Sequence, residues 1–210
     1  MASLSIRPGK ASDAPALSKI CLLTGNAGQS AEANHKYGEL IGFVYAEPYV
    51  RLPTTFAFVL EVDETKDVVG YCAGTTDTRA LERAEEEQWW PSLKEKYPAE
   101  GPGKLEGTAE DEKFFKTIQK VDKAPNACVE FSPAHLHINI LPEYQRQGWG
   151  RKLMDRAVRH LQEQGLDGVW LGHDPRNDNA RRFYTRLGYL EVPGAPYGNM
   201  CLRFADWKSP

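Results

Sequence analysis

The stretch Gln145-Arg146-Gln147-Gly148-Trp149-Gly150-Arg151-Lys152-Leu153-Met154 sits where a strand pattern gives way to a helical one. The first N–H groups of a helix lack intrahelical partners, and the macrodipole places partial positive charge beside them. Glycines at 148 and 150 let the backbone curl and let an anion approach. Such a turn can form a nest of N–H donors shaped for a phosphate or pyrophosphate, with Arg146, Arg151 and Lys152 adding charge. An ordinary glycine-containing strand-to-helix turn has the same signature. A Walker loop is ruled out because no Gly-Lys-Ser/Thr follows, and a Rossmann fingerprint because the third glycine is missing.

Proton-handling side chains cluster in two further places. His135, His137 and Asn139 alternate along an apolar strand and so share one face. Histidine titrates near neutrality and could serve as a base directly or through water, although a lone strand histidine is more often a hydrogen-bonded structural residue. His173 and Asp174 follow the next strand. Asp174 could act as base or orient a substrate, or it could cap the loop before Pro175. Trp89 and Trp90 read as core anchors or as walls of a pocket. Glu85-Glu86-Glu87 reads as a solvated helix face. If that run faced a cleft, it would favour a cationic acceptor such as a polyamine or a Lys-rich peptide.

These residues must be positioned by alternating strands and helices. Leu4 to Pro8 and Thr54 to Val62 read as strands, and Val68 to Thr76 pairs with the second of these as a hairpin. Ser12-Asp13 offers an N-cap for a helix through Leu23 that Gly25 stops. A second helical stretch runs from Glu32 to about Tyr45. Residues 78–127 are highly charged and read as a helical insertion, two helical pieces separated by the Pro98–Gly107 loop. Strand Ala134–Leu141 precedes the glycine turn. Leu153, Met154, Ala157, Val158 and Leu161 then form an apolar stripe at helical spacing. Gly168–Leu171 reads as a strand, Asn177–Leu187 as a helix, and Gly188–Val192 and Asn199–Phe204 as strands. The fold class is α+β, a mixed α/β sheet with some parallel pairing.

At 210 residues, one domain spanning 1–210 with the insertion inside it is the expected organisation. Twenty-six Lys and Arg against 29 Asp and Glu leave a net charge of −3, which argues against nucleic acid as a general partner. No apolar run reaches the ~18 residues of a membrane span, and Met1–Lys10 has no signal-like apolar core. Cys21, Cys72, Cys128 and Cys201 are scattered, with no CxxC pair and no metal-ligand cluster. Reduced thiols and a cytoplasmic location are therefore expected, with no metal.

The segment Leu136–Met154 resembles the acetyl-CoA-binding core of the GNAT superfamily of N-acetyltransferases. Gln145, Gly148 and Gly150 match that family's R/Q-x-x-G-x-G/A loop. Asn177-Asp178-Asn179-Ala180, Phe183-Tyr184 and Leu187-Gly188-Tyr189 look like its second motif, in the right order and about 30 residues downstream. A narrower likeness, carried by Ser5–Asp13, Phe56–Glu61, Gly70–Asp77 and Trp90–Tyr97, links the chain to the acetyltransferase-like domain at the C-terminus of animal O-GlcNAcases. It includes an insertion after the third strand.

The resemblance implies the GNAT fold with a helical insertion between the third and fourth strands, and acetyl-CoA as acyl donor. It implies that Gln145, Arg146, Gln147, Gly148, Trp149, Gly150 and Arg151 take the CoA pyrophosphate. Asn177 and Ala180 would contact the CoA chain, and Asn177 is equally suited to N-capping. Backbone groups at Ile140 and Leu141 would pair with the pantetheine arm between splayed fourth and fifth strands. The Tyr184 phenol would lie near the sulfur as the acid.

An attacking amine must be neutral, and a free Lys with pKa about 10.4 seldom is at pH 7, so a base is useful. His137 and Asp174 are the candidates. Asn139 stands where the O-GlcNAcase-like relatives carry an aspartate, and it cannot be a base itself. The implied function is acetyl transfer to a primary amine, on a small molecule or a peptide Lys. A catalytically weak acetyl-CoA-binding or interaction module is the alternative.

Overall fold

The computed structural model describes residues 3–209; Met1, Ala2 and Pro210, the ends of the 1–210 span, lie outside the described residues. Among the described residues one mixed sheet holds seven strands: β1 (Leu4–Pro8), β2 (Thr55–Val62), β3 (Val68–Thr75), β4 (His135–Ile140), β5 (Gly168–Gly172), β6 (Leu190–Glu191) and β7 (Asn199–Arg203). Their spatial order is β1-β2-β3-β4-β5-β7-β6. Neighbours pair antiparallel except β4 and β5, which run parallel. Around the sheet lie α1 (Ala14–Thr24), α2 (Glu39–Tyr45), α3 (Thr78–Gln88), α4 (Trp90–Lys96), α5 (Ala109–Gln119), α6 (Asn126–Phe131), α7 (Trp149–Glu163) and α8 (Asp178–Arg186).

Strand alternation sorts the core into two layers. Phe56, Phe58 and Leu60 of β2 pack with Leu136 and Ile140 of β4 against the α7 stripe Leu153, Met154, Ala157, Val158 and Leu161. Each stripe residue is fully buried, as its spacing requires. On the opposite face Ala57, Val59, Tyr71 and Ala73 meet Leu17, Ile20 and Cys21 of α1 and Ile41 of α2. A buried Glu61 is neutralised by Arg7 Nε at 2.6 Å, because an unpaired buried carboxylate would be costly.

The segment between β3 and β4 is helical, but in four helices rather than two pieces. The break at Trp89 separates α3 from α4, where Pro91 cannot donate to the preceding turn. Trp90, Leu93, Tyr97, Phe115 and Ile118 enclose Leu40 of α2, so the segment shares its core with the N-terminal half. Its clasp is Asp111. This fully buried carboxylate accepts Thr108 N–H (2.9 Å), Lys36 N–H (2.9 Å) and His35 Nδ1–H (2.8 Å).

That clasp explains why residues 32–45 are not one helix. His35 and Lys36 are drawn out to Asp111, leaving a 3-10 turn at Glu32–Asn34 and a short α2. Asp13 also departs from expectation. Its carboxylate caps no residue of α1; it takes Lys10 N–H and two bonds from Arg7. The strand expected over 188–192 shrinks to β6, because Gly188 (φ +94°) terminates α8 in the left-handed region. All four cysteines are buried and free. Among the described residues no helix is long and apolar enough to cross a membrane.

Candidate active site

The parallel pair β4/β5 is in register only where His135 meets Trp170. Beyond that point the strands part, and a cleft of about 790 Å³ opens between them. Ile138 and Asn139 line it from β4, Gly172 and His173 from the end of β5, and Ala180 and Tyr184 from α8. The β3–β4 register decides which main-chain groups face this gap. Leu141 N–H bonds the Val69 carbonyl at 2.9 Å, so residues 135, 137 and 139 also direct their amides to β3. The N–H groups of Ile138 and Ile140 therefore point toward β5. This corrects one expected contact, because Leu141 N–H is already used while Ile138, which sequence reasoning did not single out, is aimed into the gap.

At the far end of β4 the turn adopts the curl a nest requires. Arg146 (φ +60°) and Gly148 (φ +84°) are both left-handed, and Gly148 is the N-cap of α7. The N–H groups of Gln147, Gly148, Trp149, Gly150 and Arg151 have no hydrogen-bond partner among the described residues. Five such amides at a helix start have the geometry to receive an anion. Gln145 braces the turn by donating Nε2–H to the Ile140 carbonyl at 2.7 Å.

The two glycines serve different ends. A Cβ at Gly148 would meet nothing within 4 Å, so glycine is needed there for its φ. At Gly150 a Cβ would lie 3.0 Å from Phe183 Cζ, so that glycine lets α8 approach α7. The cradle therefore adjoins the cleft across Ile140 and Phe183 and does not itself line it.

Not every cation near the cradle is available. Arg151 Nη2 donates to the Lys208 carbonyl at 2.5 Å, holding the C-terminal tail. Lys152 Nζ sits 4.0 Å over the Trp149 ring. Among the three cations expected there, Arg151 alone makes a side-chain hydrogen bond to described residues.

Asn177 is the N-cap of α8, with Oδ1 accepting Ala180 N–H at 3.0 Å, and it also lines the cleft. Tyr184 is nearly buried, and burial raises its pKa, so the phenol keeps its proton. The hydroxyl has no partner among the described residues, and Tyr184 lines the cleft. Asp174 faces it too, but its carboxylate is clasped by Arg176 through N–H, Nε and Nη2 at 2.6–3.2 Å. The Arg176 bonds hold its pKa below the usual range, and both of its oxygens are engaged by that arginine. Asn139 is likewise committed, its amide bridging Thr24 Oγ1 (3.0 Å) and Tyr71 Oη (2.9 Å). His173 Nδ1–H donates to the Asp174 carbonyl at 2.9 Å, leaving Nε2 buried without a partner.

His137 remains. It lines the cleft, and burial lowers its pKa to about 4, so the ring is neutral. Its Nε2 lies 3.0 Å from Tyr49 Oη. Tyr45, Phe114 and His35 complete the outer walls. These come from α2, α5 and the loop before α2, and no local motif marks them in the sequence. Trp89 and Trp90 do not line the cleft; Trp90 is buried in the insertion core and Trp89 Nε1–H donates to the Phe43 carbonyl. Glu85 is not on a solvated face: it is buried, and desolvation, then Glu82 and Glu86, raise its pKa to about 8.

The acetyltransferase (GNAT) family model matches residues 27–189 of this chain. The chain belongs to the GNAT family. Members of the family use acetyl-CoA as acyl donor. The solved structure of SsHAT is 32% identical, with a TM-score of 0.79, over 95% of this chain and 96% of that one. A ribosomal protein bS18-alanine N-acetyltransferase of Haemophilus influenzae is 39% identical over 57 residues, 27% of this chain. A mycothiol acetyltransferase of Frankia casuarinae is 32% identical over 118 residues, 55% of this chain. The matched stretches span only 38% and 32% of those two relatives. The GNAT fold, with a helical segment between β3 and β4, is the fold of this chain.

Proposed function

We propose that this GNAT protein transfers the acetyl group of acetyl-CoA to the nitrogen of a primary amine. The observation that carries the reading is the row of five unpartnered amides at 147–151, set beside a gap between β4 and β5. The chain's groups fit that donor. The cradle would hold the diphosphate, Asn177 and Ala180 would contact the pantetheine arm, and Ile138 or Ile140 N–H would polarise the thioester carbonyl. Tyr184 would donate a hydrogen bond to the sulfur as it leaves.

The acceptor class follows from charge. The two carboxylates lining the cleft, Glu110 and Asp174, are already paired with Lys113 and Arg176. The Glu85–Glu87 run lies elsewhere. No free acid is left there to attract a polycation, and the outer walls carry Tyr45 and Phe114. A small amine with an apolar body therefore fits better than a polyamine, and a Lys side chain presented by a neutral peptide fits as well. The narrower kinship with O-GlcNAcase acetyltransferase-like domains rests on the strand and insertion segments that suggested it.

Calorimetric titration with acetyl-CoA, followed by thiol release across an amine panel, tests the reading. Micromolar or tighter binding and amine-dependent release are expected. Absence of binding would overturn it. Binding without release from any amine would favour the non-catalytic module.

A further inference from the structure

Three buried groups stand behind His137, none of them part of the cradle or the cleft wall. Thr78, the first residue of α3, has its hydroxyl 2.7 Å from the Pro133 carbonyl and 2.7 Å from His135 Nδ1. His135 Nε2 lies 2.7 Å from Tyr49 Oη, which lies 3.0 Å from His137 Nε2. Thr78 is 1% exposed, Tyr49 5% and His135 8%.

Proton counting gives this chain a single direction. A carbonyl only accepts, so the Thr78 hydroxyl spends its one proton on Pro133. Its oxygen must then accept from His135, which carries its proton on Nδ1. Burial, and next His137, hold the pKa of His135 well below the usual value, so the ring is neutral and Nε2 is a lone pair. Tyr49 donates to that lone pair, and its own oxygen accepts from His137 Nε2–H. The Pro133 carbonyl also accepts Thr78 N–H at 2.8 Å, so the reverse polarity would not orphan it, but it would set the Thr78 and Pro133 oxygen lone pairs against each other at 2.7 Å with no proton between them. His137 is neutral as well, so its other nitrogen, Nδ1, bears a lone pair. No group among the described residues bonds that nitrogen, and the residue lines the cleft.

We propose that Thr78, His135 and Tyr49 are positioning residues that fix the tautomer of His137, so that its Nδ1 accepts the proton of the attacking amine. The proposal rests on the acetyltransferase reading. As the amine nitrogen bonds to the thioester carbon, the C–S bond breaks and its electron pair leaves with sulfur. The proton passes from nitrogen to Nδ1, and the thiolate is protonated from solvent. The titratable groups around His137 are Tyr45 of α2, Tyr49 before β2 and His135 on β4, with Glu85 of α3 and Cys21 of α1 acting on Tyr49. None is a partnerless charge at neutral pH, so none drives the ring into the cationic form.

The anchor of the relay lies in the inserted helices, whereas the two histidines lie on the family's fourth strand. This gives the insertion a task in chemistry beyond its packing.

The test reads the tautomer directly by two-bond ¹H–¹⁵N correlation of ¹⁵N-histidine-labelled protein. The expected spectrum has a pyrrole-type nitrogen at His135 Nδ1 and His137 Nε2, and a pyridine-type nitrogen at His137 Nδ1. Thr78→Val should turn the His135 and His137 signals into averages of two tautomers, and Thr78→Ser should restore the wild-type pattern. In turnover, Thr78→Val and Tyr49→Phe should lower kcat roughly tenfold or more, with KM for acetyl-CoA unchanged. Rescue by Thr78→Ser is expected there too. A proton on His137 Nδ1 in the wild type would overturn the proposal. So would a Thr78→Val spectrum identical to wild type in a folded protein. Acetyl-CoA titration on the same samples separates this from failure of the acetyltransferase reading, which would show as no binding with the tautomer pattern intact.

Discussion

Replacing Gly148 by Glu puts the cradle under the most direct strain. Gly148 sits at φ +84°, and a Cβ there meets nothing within 4 Å, so the protein itself has room for the substitution and charge repulsion is the effect to size. The repulsion can be sized for a carboxylate about 6 Å from a diphosphate. At an effective dielectric between about 20 and 80, each pair of unit charges then repels by about 0.7–3 kcal/mol. Two phosphate charges make even the watery limit about 1.4 kcal/mol, close to tenfold in Kd. Gly148→Ala is the control. It carries the same left-handed strain, about 1–2 kcal/mol of folding stability, and no charge, so its Kd should stay within about threefold. Calorimetry with acetyl-CoA measures both. S-acetyl-pantetheine, which lacks the diphosphate, should bind all three proteins alike. Equal Kd values for acetyl-CoA in the Glu variant and the wild type would show that the amides at 147–151 do not hold the diphosphate. A parallel loss for acetyl-pantetheine would place the damage elsewhere.

Further consequences can be measured. Tyr184→Phe removes a hydroxyl with no partner among the described residues, so the melting temperature and acetyl-CoA affinity should hold while turnover drops roughly tenfold or more; unchanged turnover would exclude a role at the sulfur. Gly74→Ala would bring a Cβ to 2.2 Å from the His135 carbonyl oxygen, opening the β3–β4 pairing, and should cost about 3 kcal/mol or more in urea unfolding. His135 and His137 are held below their ordinary pKa by burial, so the unfolded chain protonates first. Stability should be complete above about pH 6.5 and fall as the pH drops toward 4. His137→Gln should make that fall shallower in urea midpoints taken from pH 7 to 4, and an unchanged slope would contradict the assignment. Asp111 has a lowered pKa because donors from Thr108, His35 and Lys36 outweigh its burial. Its contribution is therefore present above about pH 4 and lost below it, and Asp111→Asn should remove that second acid step.

Local chemistry was legible where it depends on neighbours in the chain. The α7 stripe, the β2–β3 hairpin, the Gln145–Gly150 curl and the shared face of His135, His137 and Asn139 all follow from period, turn residues and alternation, which act over a few residues. The acceptor side was not legible. Thr24, His35, Tyr45, Phe114 and Tyr49 reach the cleft or the histidines from α1, α2, α5 and the loops between, more than 20 residues from β4 in every case. No spacing rule connects residues that meet only after the inserted helices close on α2. The state of each titratable group lay outside the sequence for the same reason. Asp174 and His137 were equal candidates as letters. An arginine two residues on neutralises the first, while burial and a chain of hydrogen bonds fix a lone pair on the second. Which groups donate, accept or stay neutral is set by what surrounds them in three dimensions, and composition and order carry only part of that.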